Sequence, residues 1–370
     1  MIPVMIPVLR PDYDLQTKKE LLEVLDSGWV GQGPKTFEFE EKFAEYVGAK
    51  YCVMTNSGTS ALDLCLKVYG IKGGELITTP MTFVSDAIVG EWNGMDVTFA
   101  DIKEDDLCID PLALKISPQT KAIIAVDSHG RLADIEGIRA KFDGLIIEDA
   151  AHACFTPGAG KGDITIWSFQ AVKSLPIFDG GAITTNDEEI YKKLRTLTWL
   201  GVEKSTFERS GKKYTWDYDI KQAEGTKSYM TDVQAVIGLG QLRRLPQMLE
   251  RRREMQRKYN QAFEKYDWFK KPMWSDTVQY YTPQFKDRDL LSEYLADNGI
   301  ATSVHFKPLS EMTYWKKAVK NPLPVTDRVW KNLLSLPVFN SLRDDEVDFI
   351  IERVIAFYEN PDDRWVGSAR

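Results

Sequence analysis

Between residues 51 and 148 short apolar runs alternate with segments of helical period. Runs at 51–55, 75–79, 97–100, 121–126 and 145–148 read as strands, while 59–69, 84–93 and 135–142 carry apolar residues at helical spacing. Strands that alternate with helices need crossover connections, and crossovers lay helices over both faces of a mostly parallel sheet. The chain is therefore predicted to be α/β, with any ligand at the carboxyl ends of the strands, where helix N-termini converge. Before this core, the pattern predicts helices at 14–27 and 36–47 around a Gly/Pro loop at 29–34.

A chain of 370 residues exceeds what one core usually serves. Two domains are expected: a large one over 1–245 and a smaller C-terminal α/β domain over 246–370, with the N-terminal segment able to pack on the small domain. Pro246 is placed at a break between helices at 230–245 and 251–266. In the small domain, strands are expected near 278–283 and 301–306, and helices at 287–298, 327–334 and 344–358. Gly201 to Ser228, rich in charges and aromatics (Lys204, Arg209, Lys212, Lys213, Tyr214, Trp216, Tyr218), lacks periodicity. An aperiodic segment of that length suits a site or an interface.

Composition removes several classes of function. No apolar run approaches the roughly 20 residues that cross a bilayer, and MIPVMIPVLRP has neither a basic leader nor a small-residue cleavage site, so neither a membrane span nor a secretory signal is expected. Its doubled MIPV makes Met1 and Met5 rival start sites. Cys52, Cys65, Cys108 and Cys154 stand far apart, with no CxxC pair and only three histidines in the chain. That disfavours a metal site and a disulfide framework and suits the cytoplasm. A net charge of −8 disfavours nucleic acid.

Chemistry is concentrated in a few stretches. In Trp167-Ser168-Phe169-Gln170-Ala171-Val172-Lys173-Ser174-Leu175 a single cation closes a mostly apolar run. Burying an ammonium costs several kcal/mol unless it is paired or neutral. Such a lysine either lays its stem on the core with its head in water, or is there to react. Asn56-Ser57-Gly58-Thr59-Ser60 follows the first strand and opens a helix, as a capped helix start or a phosphate seat would. Glu148 and Asp149 end an apolar strand beside His152; adjacent strand residues face opposite sides, so only one carboxylate can face a given site. Phe83 opens the helix after the second strand, where an aromatic ring packs in the core or stacks on a flat cofactor. Gly158-Ala159-Gly160-Lys161-Gly162 lacks the spacing of a phosphate loop and the hydroxyl residue after its lysine.

A phosphate seat, a stacking aromatic, a carboxylate and a buried lysine, in this order, are the features of a pyridoxal phosphate (PLP) site. With Trp29-Val30-Gly31-Gln32-Gly33, Asp179-Gly180-Gly181, Met230-Thr231-Asp232 and Val304-His305-Phe306-Lys307-Pro308-Leu309, the chain resembles the DegT/StrS-type sugar aminotransferases, of PLP fold type I, from about Gly28 to about Tyr358. The resemblance implies that Lys173 binds the cofactor covalently and then moves the proton. It implies Asp149 on the ring nitrogen, Gly58, Thr59 and Ser168 on the phosphate, Phe83 stacked on the ring and His152 near its hydroxyl. Lys227 would reach the phosphate in the neighbouring subunit, giving a homodimer with shared sites. The implied substrates are L-glutamate and a nucleotide-linked keto-sugar, whose diphosphate the cations of 201–228 would offset.

Three places depart from the family pattern. Asp127-Ser128-His129-Gly130 stands where His-x-Tyr/Phe-Gly is usual, Phe178 replaces a glycine, and Ser228 and Tyr229 replace the usual residues beyond Lys227. They lie near the substrate and leave the sugar open, with other keto-sugars and cyclitols as alternatives. Family dehydratases carry histidine in place of the lysine, so Lys173 argues against elimination. A non-catalytic PLP-binding regulator would lack Lys173 or Asp149, and a Rossmann nucleotide binder would show GxGxxG after the first strand.

Overall fold

The computed structural model describes residues 5–210, 216, 218–221 and 223–360. Among them, β1 (Tyr51–Thr55), β2 (Glu75–Thr78), β3 (Asp96–Phe99), β4 (Thr120–Val126), β5 (Leu145–Asp149), β6 (Ile164–Ser168) and β7 (Gly181–Thr185) form one sheet in the order β1-β7-β6-β5-β4-β2-β3. The pairs β2–β3, β2–β4, β4–β5 and β5–β6 are parallel, and β7 runs against both its neighbours. The mostly parallel α/β sheet is thus confirmed, with one reversed strand that follows the lysine loop. β5 lies at the centre with every residue buried.

Helices cover both faces. α1 (Leu15–Asp26) and α2 (Pro34–Val47) lie with the first half of a long helix on one face, where Phe39, Phe43, Met54, Trp167, Phe169 and Val236 form a core. α3 (Gly58–Val68), α4 (Ser85–Trp92) and α6 (Glu188–Leu197) cover part of the other face through Leu62, Leu66, Val89, Leu194 and Leu197. Between α4 and α6 in the chain comes the short α5 (Ile135–Arg139), packed with Ile123, Ile146 and Phe142. α7 (Thr206–Arg209) is a single turn closed by a Ser205/Glu208 capping box.

The break expected at Pro246 does not occur: α8 runs unbroken from Asp232 to Phe263. An interior proline costs about 3 kcal/mol. Burial on both sides of it offsets that cost, since Ala235, Val236 and Leu239 belong to the core of the large sheet and Met255, Tyr259 and Phe263 to the C-terminal core. α8 therefore ties the two cores together. The C-terminal core adds α9 (Arg288–Asp297), α10 (Pro324–Val329) and α11 (Asp344–Glu359). Its sheet is smaller than expected: β8 (Phe269–Lys270) pairs β9 (Gln284–Phe285), while Tyr281 and Ser303 make only isolated bridges to Leu336 and Ser335. Pro283 supplies no N–H to extend a ladder, and past Ser303 the rings of His305 and Phe306 join the ring cluster described below. Ile6 bridges Ile300, so the N-terminal segment packs on this lobe. No described helix is long and apolar enough to cross a membrane.

Candidate active site

A cavity of about 360 Å³ opens at the carboxyl ends of β4, β5 and β6. Ser57, Gly58, Thr59, Phe83, Asp149, His152, Ser168 and Lys173 all line it. Seven of the eight residues singled out from sequence, all but Lys227, thus converge on one space.

The first turn of α3 forms one wall. Ser57 caps the helix, its Oγ accepting from Ser60 N at 3.1 Å, which leaves the leading N–H groups directed outward. A Cβ on Gly58 would stand 3.2 Å from Ser168 Cβ, so the helix start and the end of β6 are pressed together. A Cβ on Gly181 would come within 2.6 Å of the Ser57 carbonyl group, which only glycine avoids. The result is a narrow cradle of N–H groups and hydroxyls suited to a phosphate.

β5 delivers the carboxylate. Asp149 accepts from Ala151 N at 2.8 Å on one oxygen, and burial raises its pKa while Lys173 draws it down. Glu148 points the other way, accepting from the N–H groups of Gly160, Lys161 and Gly162 at 2.8, 2.6 and 2.7 Å. The glycine-rich stretch 158–162 thus wraps an internal carboxylate.

Lys173 rides a tight loop between β6 and β7. Its N–H donates to Gln170 O at 2.8 Å, and Gln279 from the C-terminal lobe donates to Val172 O at 2.8 Å. Its side chain keeps some area open to the cavity, yet protein surrounds it, and desolvation lowers its pKa to about 8 against the pull of Asp149 and Asp86. Near neutral pH the neutral, nucleophilic amine is therefore far more accessible than in an exposed lysine.

Rings close the remaining side. All three histidines meet here: His152 stacks on Phe306 at 5.6 Å and on His129 at 5.8 Å, and His305 stacks on Tyr280 at 3.7 Å. His129 Nε2 lies 2.8 Å from His305 O, and His305 Nδ1 lies 2.8 Å from Ser335 Oγ. Burial pushes the pKa of His129 and His152 well down and that of His305 to about 3. His152 Nδ1 is buried without a partner, and Phe83 is 57% exposed on the cavity wall. An unpaired ring nitrogen and an uncovered aromatic face fit a flat, polar ring with a hydroxyl.

The neutral histidines predict a pH effect. Unfolding lets His305 regain its ordinary value of about 6.5, so between about 6.5 and about 3 the unfolded chain binds the extra proton and stability falls as pH falls. Relative to His305→Asn, wild type should lose about 1.4 kcal/mol per pH unit below 6.5. Urea midpoints at pH 7.5 and 5.5 measure this, and a gap between the two proteins that ignores pH would contradict a buried neutral imidazole.

Sequence reading missed Asp86 and Tyr280. Asp86, a lone charge in the apolar run Val84–Gly90, carried the same signal as Lys173; Tyr280 carried none. Lys227 stands apart: it is exposed, with its Nζ 5.5 Å over the Trp199 ring. Lys212, Lys213 and Tyr214 lie outside the described residues. A larger cleft of about 1270 Å³ between α2 and α6 contains the Arg195–Glu40 ion pair at 2.9 Å, but lies apart from the lysine and its carboxylates.

Known proteins share this sequence pattern and this fold. A model of the DegT/DnrJ/EryC1/StrS aminotransferase family matches residues 11–355. The spore coat polysaccharide biosynthesis protein SpsC of Bacillus subtilis is 37% identical over 94% of this chain and 96% of its own. Among solved structures, the putative sugar aminotransferase Spr1654 of Streptococcus pneumoniae in its PMP form superposes with a TM-score of 0.87 at 30% identity, over 96% of this chain and 99% of that one. DesV of S. venezuelae, solved with a ketimine intermediate, gives 0.83 at 27% identity over 95% and 99%.

Proposed function

The chain belongs to the DegT/DnrJ/EryC1/StrS family of PLP-dependent sugar aminotransferases, and from that premise we propose that it moves an amino group from L-glutamate to a keto-sugar carried on a nucleoside diphosphate. The observation that carries the catalytic assignment is Lys173, desolvated above Asp149 in a cavity that also holds the α3 cradle. PLP supplies an aldehyde that bonds to amines and a ring that withdraws electrons from the adjoining carbon.

The residues divide the work. The Gly58 and Thr59 N–H groups and the Ser168 hydroxyl would hold the phosphate. Phe83 would cover a face of the ring, His152 would serve its hydroxyl, and Asp149 would keep a proton on its nitrogen. Lys173 would hold the aldehyde, and its Nζ, desolvated and with a lowered pKa, would be the group that takes up and gives back the proton at the substrate carbon. His152, Tyr280, His305 and Phe306 keep bulk water from that proton. The small lobe, taken as 246–370, contributes Tyr280, His305 and Phe306 to the cavity wall.

The nucleotide is supported by the exposed cation Lys204 of the 201–228 segment in a chain of net charge −8; the sugar is supported by relatives named for sugar amination and polysaccharide synthesis. Four buried free cysteines suit a reducing cytoplasm. The test feeds amino-sugar nucleotides and 2-oxoglutarate to the loaded enzyme and follows glutamate by mass spectrometry. Glutamate should form from a nucleoside-diphosphate amino sugar and hardly from the free amino sugar; equal rates would remove the nucleotide from the reading.

We also propose that the site is shared in a homodimer. Lys227 does not line the cavity of its own chain, which suits a cation that serves a neighbour. A phosphate contact from it is charge-assisted, about twice a neutral hydrogen bond in strength, so Lys227→Ala should lose about tenfold or more in cofactor affinity. Lys173→Ala and Lys227→Ala, unfolded and refolded together, should regain activity that neither has alone. If mixed dimers form and stay inactive, Lys227 does not act across an interface.

A further inference from the structure

Asp86 is an acid with no evident reason to be where it is. A carboxylate in the first turn of a helix is normally exposed, where it complements the helix dipole. Asp86 occupies the first turn of α4 and is fully buried. Its Oδ2 accepts from Thr82 Oγ1, one residue before Phe83. Its Oδ1 finds no donor. Thr82 and Ser85, on the same turn, line the cavity together with Asp149 and Lys173, and Asp86, Asp149 and Lys173 lie near enough for each to act on the others electrostatically.

Ionised carboxylates only accept. Two of them in contact can form a hydrogen bond only if one proton lies between them, and two buried like charges repel strongly enough to retain it. We propose that Asp86 and Asp149 form a dyad holding a single proton, with Asp86 the neutral, donating member that positions the ionised Asp149 carboxylate toward the cavity.

The surroundings agree on which oxygen carries the proton. Burial and then the charge of Asp149 push Asp86 well above the ordinary carboxyl range, against Thr82 and Lys173. Asp149 is raised by burial but held back by Asp86, the Ala151 N–H and Lys173. The other titratable groups facing the pair are Glu148, which accepts from the N–H groups of its own loop, the buried Asp127, itself pushed well up by burial, and the buried Cys65 thiol. One negative charge on the dyad therefore stands against one positive charge on Lys173. Asp86 is a positioning residue: it acts through Asp149. The proton is argued from this chain's own atoms; only its benefit to the cofactor rests on the reading of Asp149 as partner of the ring nitrogen.

Infrared difference spectroscopy on the cofactor-free protein at pH 7 tests the proton, since a protonated carboxyl has a carbonyl stretch that a carboxylate lacks. Wild type minus Asp86→Asn should show one such band lost; an unchanged band would overturn the dyad. The Asn side chain is isosteric and still donates, so its cofactor affinity, measured by calorimetry, should stay within about threefold of wild type, while Asp86→Ala should weaken by about tenfold or more. Equal losses in the two variants would overturn the positioning role. Should the band vanish in Asp86→Asn while Asp86→Asn/Asp149→Asn keeps a near-normal glutamate half-reaction, the dyad stands and the ring-nitrogen reading of Asp149 falls.

Discussion

Lys173→Arg is expected to fold, bind cofactor weakly and turn over at least about four orders of magnitude more slowly than wild type. The guanidinium preserves a positive charge against Asp149 and Asp86, so the buried acids keep a counter-ion. It cannot become neutral at any accessible pH, because a guanidinium keeps its proton throughout that range, whereas burial has brought Lys173 to about 8. Both duties proposed for the residue, attack on an aldehyde and shuttling of a proton, need a free amine; general acid–base work alone is worth about 10²–10⁴ in rate. Single-turnover measurement with glutamate reads the loss. Borohydride reduction of the loaded wild-type protein followed by peptide mass spectrometry reads the assignment itself: the pyridoxyl group should sit on Lys173. An adduct on another lysine would transfer the role there.

Much of this was legible because the relevant signals are local. Runs such as Ile146-Ile147 and Ile123-Ile124 are apolar throughout because helices cover the sheet on both faces, so strand and helix alternate visibly along the chain. Lys173 was legible because a lone cation in an apolar stretch demands a reason. Asp86 sent the same signal and was read as part of a helix, since an acid near a helix start looks like a cap until its burial is known. Long-range facts left no trace. His129, His152 and His305 are far apart in sequence, and only the packing of the C-terminal lobe on the large sheet stacks their rings. Pro246 misled because helix rules price the lost hydrogen bond but not the two cores that α8 serves at once. The small lobe carries less sheet than its pattern suggests for a related reason: Val278 and Tyr281 are buried in a core shared by α8, α9, α11 and irregular chain, and Tyr281 makes only an isolated bridge to Leu336.

The dyad sharpens what Asp149→Asn should do. An amide cannot keep a proton on a ring nitrogen, so the electron-withdrawing power of the bound ring falls, and preorganised electrostatic contacts of this kind are commonly worth about 3 kcal/mol, or about a hundredfold and more in rate. The cofactor should still bind, through the α3 cradle, Phe83 and Lys173. Removing Asp149 also removes the repulsion that keeps Asp86 protonated. Asp86 is then the sole carboxylate under Lys173 and can ionise, so the lysine retains its counter-ion and its pKa should stay close to about 8. Labelling Lys173 of the cofactor-free variant with an amine-reactive reagent across pH measures this directly. A slow glutamate half-reaction with an unmoved lysine titration assigns the loss to the ring nitrogen alone. In Asp86→Asn/Asp149→Asn, where no carboxylate remains beneath the amine, the titration should move to lower pH, because the charges that raised it are gone. A near-normal half-reaction in the single variant would mean that Asp86 can reach the ring in place of Asp149, and the two acids would have to exchange roles.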